Sequence, residues 1–123
     1  MVEMIRIMLK SKIYDLRITD VTPMCSESIG IDRELMKKAN IIEFEQVDVL
    51  DISNGKRFTT YAIPEESGAC VYGAAAKLVD VGDLIIILSY TLAEDGISRK
   101  VKIARGQNHE NCNLNEGGQE WKS

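Results

Sequence analysis

Apolar and polar residues alternate along much of this chain, which is the pattern of β-strands with one buried face. In residues 4–20, Ile5, Ile7 and Leu9, and later Ile13, are interleaved mainly with polar positions. Similar patterns predict further strands over residues 28–32, 47–52, 57–63 and 84–91.

Local signals predict how these strands are connected. Asn54-Gly55 lies between two β-patterned runs, and Asn-Gly is the strongest short-range hairpin signal. Asp32 can cap a helix over residues 33–39, because its side chain can accept from the first free amides. Pro64 is expected to end the strand before it, since proline cannot donate to a ladder. One or two helical turns are predicted at 73–78, and a turn at 81–83. Many short strands with two small helices favour a compact, mainly β-barrel over a doubly wound sheet.

Composition narrows the class of protein. The 123 residues suit one domain, and a net charge of −4 gives no electrostatic reason to expect nucleic acid or an anionic membrane as a partner. No apolar run approaches the roughly 20 residues that a membrane helix needs, and the N-terminus does not resemble a signal peptide. Cys25, Cys70 and Cys112 match neither a disulfide framework nor a metal site, so we expect a reducing, cytoplasmic location.

The polar character of the chain increases after Gly96. Residues 106–123 are mostly Asn, Gln, Glu, Gly and Lys, a composition that buries too little apolar surface to offset the entropy of ordering. We therefore expect a barrel domain over residues 1–96 and a loose polar tail over residues 97–123.

A few side chains could take part in binding or catalysis, judged by their residue type and position alone. Arg57 and Tyr61 are four residues apart on one predicted strand and share a face, whereas Thr60 points to the other face. Arg57 could bind a carboxylate and Tyr61 could donate a proton, although a solvated Arg and a half-buried Tyr are also ordinary on a hairpin. His109, the only histidine, lies in the tail, and no His/Cys cluster has metal spacing.

Several motifs together resemble one enzyme family. They are Met8-Leu9-Lys10-Ser11-Lys12-Ile13, Asn54-Gly55-Lys56-Arg57-Phe58-Thr59-Thr60-Tyr61-Ala62-Ile63, Gly73-Ala74-Ala75-Ala76 and Val81-Gly82-Asp83-Leu84-Ile85-Ile86. From about residue 4 to residue 90 the chain resembles pyruvoyl-dependent aspartate 1-decarboxylase. The resemblance implies a six-stranded double-psi β-barrel with short helices, assembled as a homotetramer with sites between subunits.

The resemblance also assigns roles to residues. Ser28 matches the serine that becomes the pyruvoyl cofactor after the chain cuts itself at Glu27–Ser28. Tyr61 matches the tyrosine that reprotonates the product, and Thr60 a threonine needed for processing and in contact with substrate. The other matched residues concern substrate: Arg57 and Lys12 are expected to bind its carboxylate, and the backbone of Gly73, Ala74 and Ala75 to lie along it.

The implied reaction converts L-aspartate into β-alanine and CO₂ for pantothenate synthesis. The ketone of the pyruvoyl group would condense with the substrate amine and accept electrons as CO₂ leaves, as pyridoxal phosphate does elsewhere. This resemblance predicts a lyase that binds aspartate, needs no metal and makes its own cofactor.

The chain departs from the family pattern at four positions around this site. Glu27 replaces a glycine, Tyr72 replaces an Asn placed to interact with the cleavage-site carbonyl, Cys25 stands where Tyr is common, and Tyr14 where His is common. Three hypotheses follow: a self-cleaving aspartate decarboxylase, a paralogue that decarboxylates another amino acid, and an uncut barrel that acts as a binding module.

Overall fold

Strands dominate the part of the chain that the computed structural model describes, which is residues 4–24, 26–94, 99–106 and 119–121. One α-helix, α1 (Arg33–Lys38), and one 3-10 helix, Ala74–Leu78, accompany them. The strands are β1 (Ile5–Arg17), β2 (Asp20–Thr22), β3 (Ser28–Asp32), β4 (Gln46–Asp51), β5 (Arg57–Glu65), β6 (Ala69–Tyr72), β7 (Leu84–Glu94), β8 (Arg99–Arg105) and β9 (Gln119–Trp121).

The strands from β1 to β7 form a ring. Their order across the sheet is β2-β6-β3-β5-β4-β7-β1, with β8 and β9 following β1. Only Ile18 and Thr19 separate β1 from β2, and their amides donate to different neighbours. Ile18 N–H donates to the carbonyl of Asp83, next to β7, at 2.9 Å, and Thr19 N–H donates to that of Ala69 in β6 at 2.8 Å. The two ends of the order are therefore joined through one run of chain.

The predicted mainly β class with short helices is confirmed, but the strand count differs from six. Nine strands lie in the described residues, because β1 and β2 are separate and β8 and β9 add to the sheet. When β1 and β2 are counted as one interrupted strand, the ring itself contains six. The extra strands extend the sheet beyond the ring.

The sheet also continues past the predicted domain boundary at residue 96. Strand β8 pairs in parallel with β1, from Ser11 opposite Lys102 to Tyr14 opposite Arg105. Val101 and Ala104 of β8 are buried. The region is polar on average, but a short stretch of it contains enough apolar residues to form a strand. Average composition does not detect such a stretch. Residues 107–118, with His109 and Cys112, lie outside the described residues, so the loose tail stays a prediction.

The predicted local signals lead to the expected elements. Asp32 caps α1, and its Oδ1 accepts from Glu34 N–H at 2.8 Å and Leu35 N–H at 3.4 Å. The helix ends at Lys38, one residue earlier than predicted. Around Asn54-Gly55, β4 and β5 pair as an antiparallel hairpin.

Strand β5 runs through Pro64, contrary to the prediction that proline would end it. Pro64 pairs with Ile31 of β3 on one side, whereas the pairing of β5 with β4 ends at Tyr61. One edge of β5 is therefore unpaired with β4 at this point, and the missing N–H can face it without loss of a ladder bond.

Alternation along the strands fills the inside of the ring. Ile13, Ile29, Val49 and Ile87 are fully buried and belong to one core cluster. Their neighbours in sequence point to the other face of the sheet, where Tyr14 forms a second apolar cluster with Val101 and Ile103 of β8.

A buried carboxyl group, Asp51, lies at the end of β4. Its side chain is 1% exposed, and its Oδ1 accepts from Ser53 N–H at 2.8 Å. Burial raises the pKa of Asp51 to about 6, and the adjoining carboxyl group of Asp83 adds to this effect. The folded state therefore favours the protonated form of Asp51.

The stability of the protein should fall as the pH rises through 6. An Asp whose pKa is higher in the folded state stabilises the fold fully only at low pH. By about pH 7 this contribution is lost, which lowers the free energy of unfolding by on the order of 1–3 kcal/mol. Asp51→Asn keeps an acceptor for Ser53 and cannot ionise, so its free energy of unfolding should be flat between pH 5 and 8. Urea titrations in chains that also carry Ser28→Ala, which removes the hydroxyl predicted to start cleavage, measure this. The exposed Asp20→Asn is the control, and equal slopes for Asp51→Asn and wild type would refute the assignment.

Candidate functional site

Ser28 opens β3 and lies between two tyrosines. It pairs with Tyr72 of β6, and the parallel register of Ile29 with Ala62 places Tyr61 of β5 beside Ser28 on the other side. Laterally paired residues share a face of the sheet. The Ser28 side chain is 6% exposed, and its Oγ donates to the carbonyl of Ser26 at 3.3 Å. Strand pairing thus brings together the proposed cofactor precursor and the proposed proton donor.

Thr60 precedes Tyr61 on β5, and its side chain lies on the inner side of the strand. Thr60 is 1% exposed, and within the described residues its Oγ1 has no hydrogen-bond partner. A buried hydroxyl without a partner costs roughly 1–3 kcal/mol, so such a group is more typical of a functional position than of a purely structural one.

The segment after β6 packs directly against Glu27. Gly73 has a φ of +88°, and a Cβ on it would lie 3.0 Å from the Cα of Glu27. The amide of Gly73 donates to the carbonyl of Thr22 at 2.9 Å, and the amide of Ala74 donates to Oε1 of Glu27. The backbone of Gly73 and Ala74 therefore contacts Glu27, and Ala75 is buried; the expected contact of these three residues with substrate stays a prediction.

Gly73→Ala should slow the predicted cleavage about tenfold or more, because it strains the backbone and pushes residue 27 away from Ser28. Gly82→Ala is a matched control: Gly82 also has a positive φ, +95°, but a Cβ there meets nothing within 4 Å. The fraction of cut chain over time, followed by intact-mass spectrometry, measures both. Equal slowing by the two variants would mean that backbone strain alone, not the contact with Glu27, explains the effect.

The hydroxyl of Tyr72 is engaged by another side chain. It donates to Oε1 of Glu65 at 2.7 Å. This hydrogen bond, together with burial, raises the pKa of Tyr72. In the uncut chain Tyr72 therefore bonds to Glu65 and does not supply the amide-like donor that an Asn would place near the cleavage carbonyl.

A second group of polar side chains surrounds Arg57 on the outer face. The Nη2 of Arg57 donates to Oδ2 of Asp48 at 2.9 Å and to the hydroxyl of Tyr90 at 3.0 Å. Asp48 also accepts from Tyr90 at 2.7 Å and from Thr59 at 2.7 Å. These contacts fix one nitrogen of the guanidinium group at the side of an open groove of about 720 Å³.

The charges of this group reinforce one another. Burial of Asp48 opposes ionisation, but hydrogen bonds from Thr59, Tyr90 and Arg57 outweigh it and lower the pKa of Asp48. The hydrogen bond to Asp48 raises the pKa of Arg57. Arg57 and Asp48 therefore form an ion pair at the side of the groove.

Within one copy of the chain, the residues around Ser28 and the residues around Arg57 lie apart. Arg57 is four residues from Tyr61 on β5, about 13 Å along the strand. Lys12 is half-buried on β1. Across the sheet, Lys12 pairs with Leu88, Leu88 with Asp48, and Asp48 with Thr59. Three strand spacings of about 4.8 Å each therefore separate Lys12 from Thr59. All these side chains lie on the outer face of the ring, where Tyr61 is 45% exposed.

Sequence reasoning missed three members of this site: Asp48, Tyr90 and Glu65. Asp48 could have been identified from the sequence, because the hairpin register pairs it with Thr59. Tyr90 and Glu65 gave no local signal. Tyr14, one of the four departures, is buried in a cluster with Val101 and Ile103, and Cys25 lies outside the described residues.

The described part of the chain has neither a metal-binding cluster nor a membrane-spanning helix. No group of three or more His, Cys, Asp or Glu side chains there is arranged to hold a metal ion. None of its helices is both long enough and apolar enough to span a bilayer.

Comparison with known proteins gives consistent matches. The family model described as "Aspartate decarboxylase" matches residues 4–111. A relative from Campylobacter hominis, named aspartate 1-decarboxylase, is 48% identical over 99 residues, which are 78% of this chain and 87% of the relative. Relatives with the same name from Thermoanaerobacter pseudethanolicus and Clostridium botulinum are 47% and 52% identical, over 79% and 68% of this chain and 86% and 68% of their own lengths.

Proposed function

This chain belongs to the aspartate decarboxylase family, and we propose that it is an aspartate 1-decarboxylase that cuts itself between Glu27 and Ser28. The proposed reaction releases CO₂ from L-aspartate and yields β-alanine for pantothenate synthesis. One observation supports this function above the others: the strand register that sets Ser28 between Tyr61 and Tyr72, where the residue before Tyr61 carries a buried hydroxyl without a partner in the described residues.

The proposed self-cleavage uses only this chain and one water molecule. Ser28 Oγ attacks the carbonyl carbon of Glu27, the C–N bond breaks, and the hydroxyl proton passes to the nitrogen, so that an ester replaces the amide. Loss of the Ser28 α-proton then releases the carboxylate of Glu27 and leaves a dehydroalanyl end. Addition of water and loss of ammonia convert this end into a pyruvoyl group.

The surroundings of Ser28 fit such a group. Gly73, Ala74 and Ala75 present no large side chain, and the Thr60 Oγ1 is available as a hydrogen-bond partner within the described residues. When formed, the pyruvoyl group supplies an electron sink for the carbanion that remains after CO₂ leaves. Tyr61 would hold the proton that the product receives, and Arg57, with Lys12, would bind a carboxylate of aspartate.

The proposal includes assembly as a homotetramer in the cytoplasm. The exposure of Tyr61 and the separation of Arg57 and Lys12 from Ser28 support it, because a second copy could bring its own Arg57 and Lys12 to the Ser28 of the first. Burial of Tyr61 by that copy would also exclude water from the site.

A second candidate function rests on Tyr72 and Glu65. The tyrosine ring and the carboxylate occupy the face beside Ser28, where the family has a small amide side chain. This arrangement favours either a different amino-acid substrate or an uncut barrel that binds a partner.

Intact-mass spectrometry followed by a substrate panel distinguishes these functions. The purified chain should give two fragments, residues 1–27 and residues 28–123, the latter beginning with a pyruvoyl group. Release of CO₂ should then be fastest with aspartate in a panel of amino acids. Persistence of one full-length species after prolonged warm incubation would overturn the self-cleaving functions, and a preference for another amino acid would favour the paralogue.

A further inference from the structure

The side chain of Glu27 makes a specific contact that a glycine at this position lacks. Its Oε1 accepts from the backbone amide of Ala74, 47 residues along the chain. A carboxylate that accepts from a backbone N–H forms a charge-assisted hydrogen bond, which is stronger than a neutral one. The residue whose peptide bond is proposed to break is thus attached by its own side chain to the opposite wall of the site.

The backbone around this contact is held on both sides. Gly73 has no side chain where Glu27 lies, and its amide is fixed to the carbonyl of Thr22 at 2.9 Å. The next amide along, that of Ala74, therefore has a set direction toward Glu27. The hydroxyl of Tyr72 is bonded to Glu65, so it does not orient the cleavage carbonyl.

We propose that Glu27 is a positioning residue for the self-cleavage of this chain: its side-chain bond to Ala74 holds the scissile carbonyl for attack by Ser28. The hydrogen bond between Glu27 and Ala74 orients the carbonyl of Glu27, which Tyr72 does not do. This inference rests on the proposed function, since it presupposes that the Glu27–Ser28 bond breaks.

The experiment compares rates of cleavage in freshly synthesised chains. Full-length wild type, Glu27→Gln and Glu27→Ala are made by cell-free translation, and the cut fraction is followed by mass spectrometry. Glu27→Gln retains an acceptor oxygen and should cleave within about threefold of wild type, whereas Glu27→Ala should be slower by about tenfold or more. Glu66→Ala, which removes an exposed carboxylate that pairs with Arg33, should cleave at the wild-type rate.

A second variant tests the donor. Ala74→Pro removes the amide hydrogen at the first position of the 3-10 helix, where proline is compatible with helical geometry. It should slow cleavage as much as Glu27→Ala does, and the double variant should be no slower than either single variant, because both remove one interaction.

The outcomes separate the inference from the function on which it rests. A wild-type chain that stays intact would overturn both. A wild-type chain that cleaves, with Glu27→Ala cleaving equally fast or Glu27→Gln as slow as Glu27→Ala, would overturn the positioning role alone. Additive slowing in the double variant would likewise refute a shared bond between Glu27 and Ala74.

Discussion

Replacing Ser28 by alanine is expected to leave the chain at its full-length mass and without decarboxylase activity. The substitution removes the Oγ that would attack the carbonyl of Glu27, and with it the ester whose elimination would give the dehydroalanyl end from which the pyruvoyl group forms. The loss should be complete, because neither cleavage nor CO₂ release has another route in the proposed chemistry. Intact-mass spectrometry and a CO₂ assay with aspartate measure the two effects.

Ser26→Ala is the matched control for this prediction. Ser28 Oγ bonds to the backbone carbonyl of residue 26, which alanine retains, so this variant should still cut itself. A Ser28→Ala chain that splits between residues 27 and 28, or that releases CO₂ from aspartate, would show that Ser28 is not the cofactor precursor.

Tyr61→Phe is expected to separate cleavage from catalysis. The variant retains the ring on the outer face of β5 but lacks the hydroxyl that would protonate the carbanion. Loss of a general acid typically lowers kcat about 10²- to 10⁴-fold. Self-cleavage should proceed at the wild-type rate, because Ser28 and Thr60 are unchanged.

Steady-state kinetics on fully cut protein test this role of Tyr61. The fraction of chain cut, measured on the same sample, is the internal control against a defect in cofactor formation. A wild-type kcat for the Tyr61→Phe enzyme would show that the hydroxyl of Tyr61 does not transfer the proton. The ring would then only line the site.

Much of the fold could be read from short stretches of sequence. Asp32 predicted the start of α1, and Asn54-Gly55 predicted a hairpin that places Asp48 opposite Thr59. These signals succeed because the interacting groups are close along the chain, so local geometry decides the outcome. Pro64 was interpreted wrongly because its effect depends on whether the adjacent edge of β5 is paired, and that is set by distant strands.

The candidate site divides in the same way. Arg57 and Tyr61 were predicted to share a face, with Thr60 on the other, and the burial of β5 agrees: Arg57 and Tyr61 are exposed and Thr60 is buried. The period of two along a strand is sufficient for that inference. The partners of these residues were not predictable, since Tyr90 reaches Arg57 from 33 residues away.

The sequence by itself determined the β-strand pattern, the hairpin and the capped helix, and through family motifs it predicted the residues from which a cofactor and its site would be made. Only the tertiary structure decided that β1 and β2 close a ring, that β8 joins it, that Tyr72 bonds to Glu65, and that Glu27 bonds to Ala74. The physical reason is that alternation and turn chemistry act between neighbours in the chain. Contacts between distant segments, by contrast, depend on how the strands are registered around the barrel.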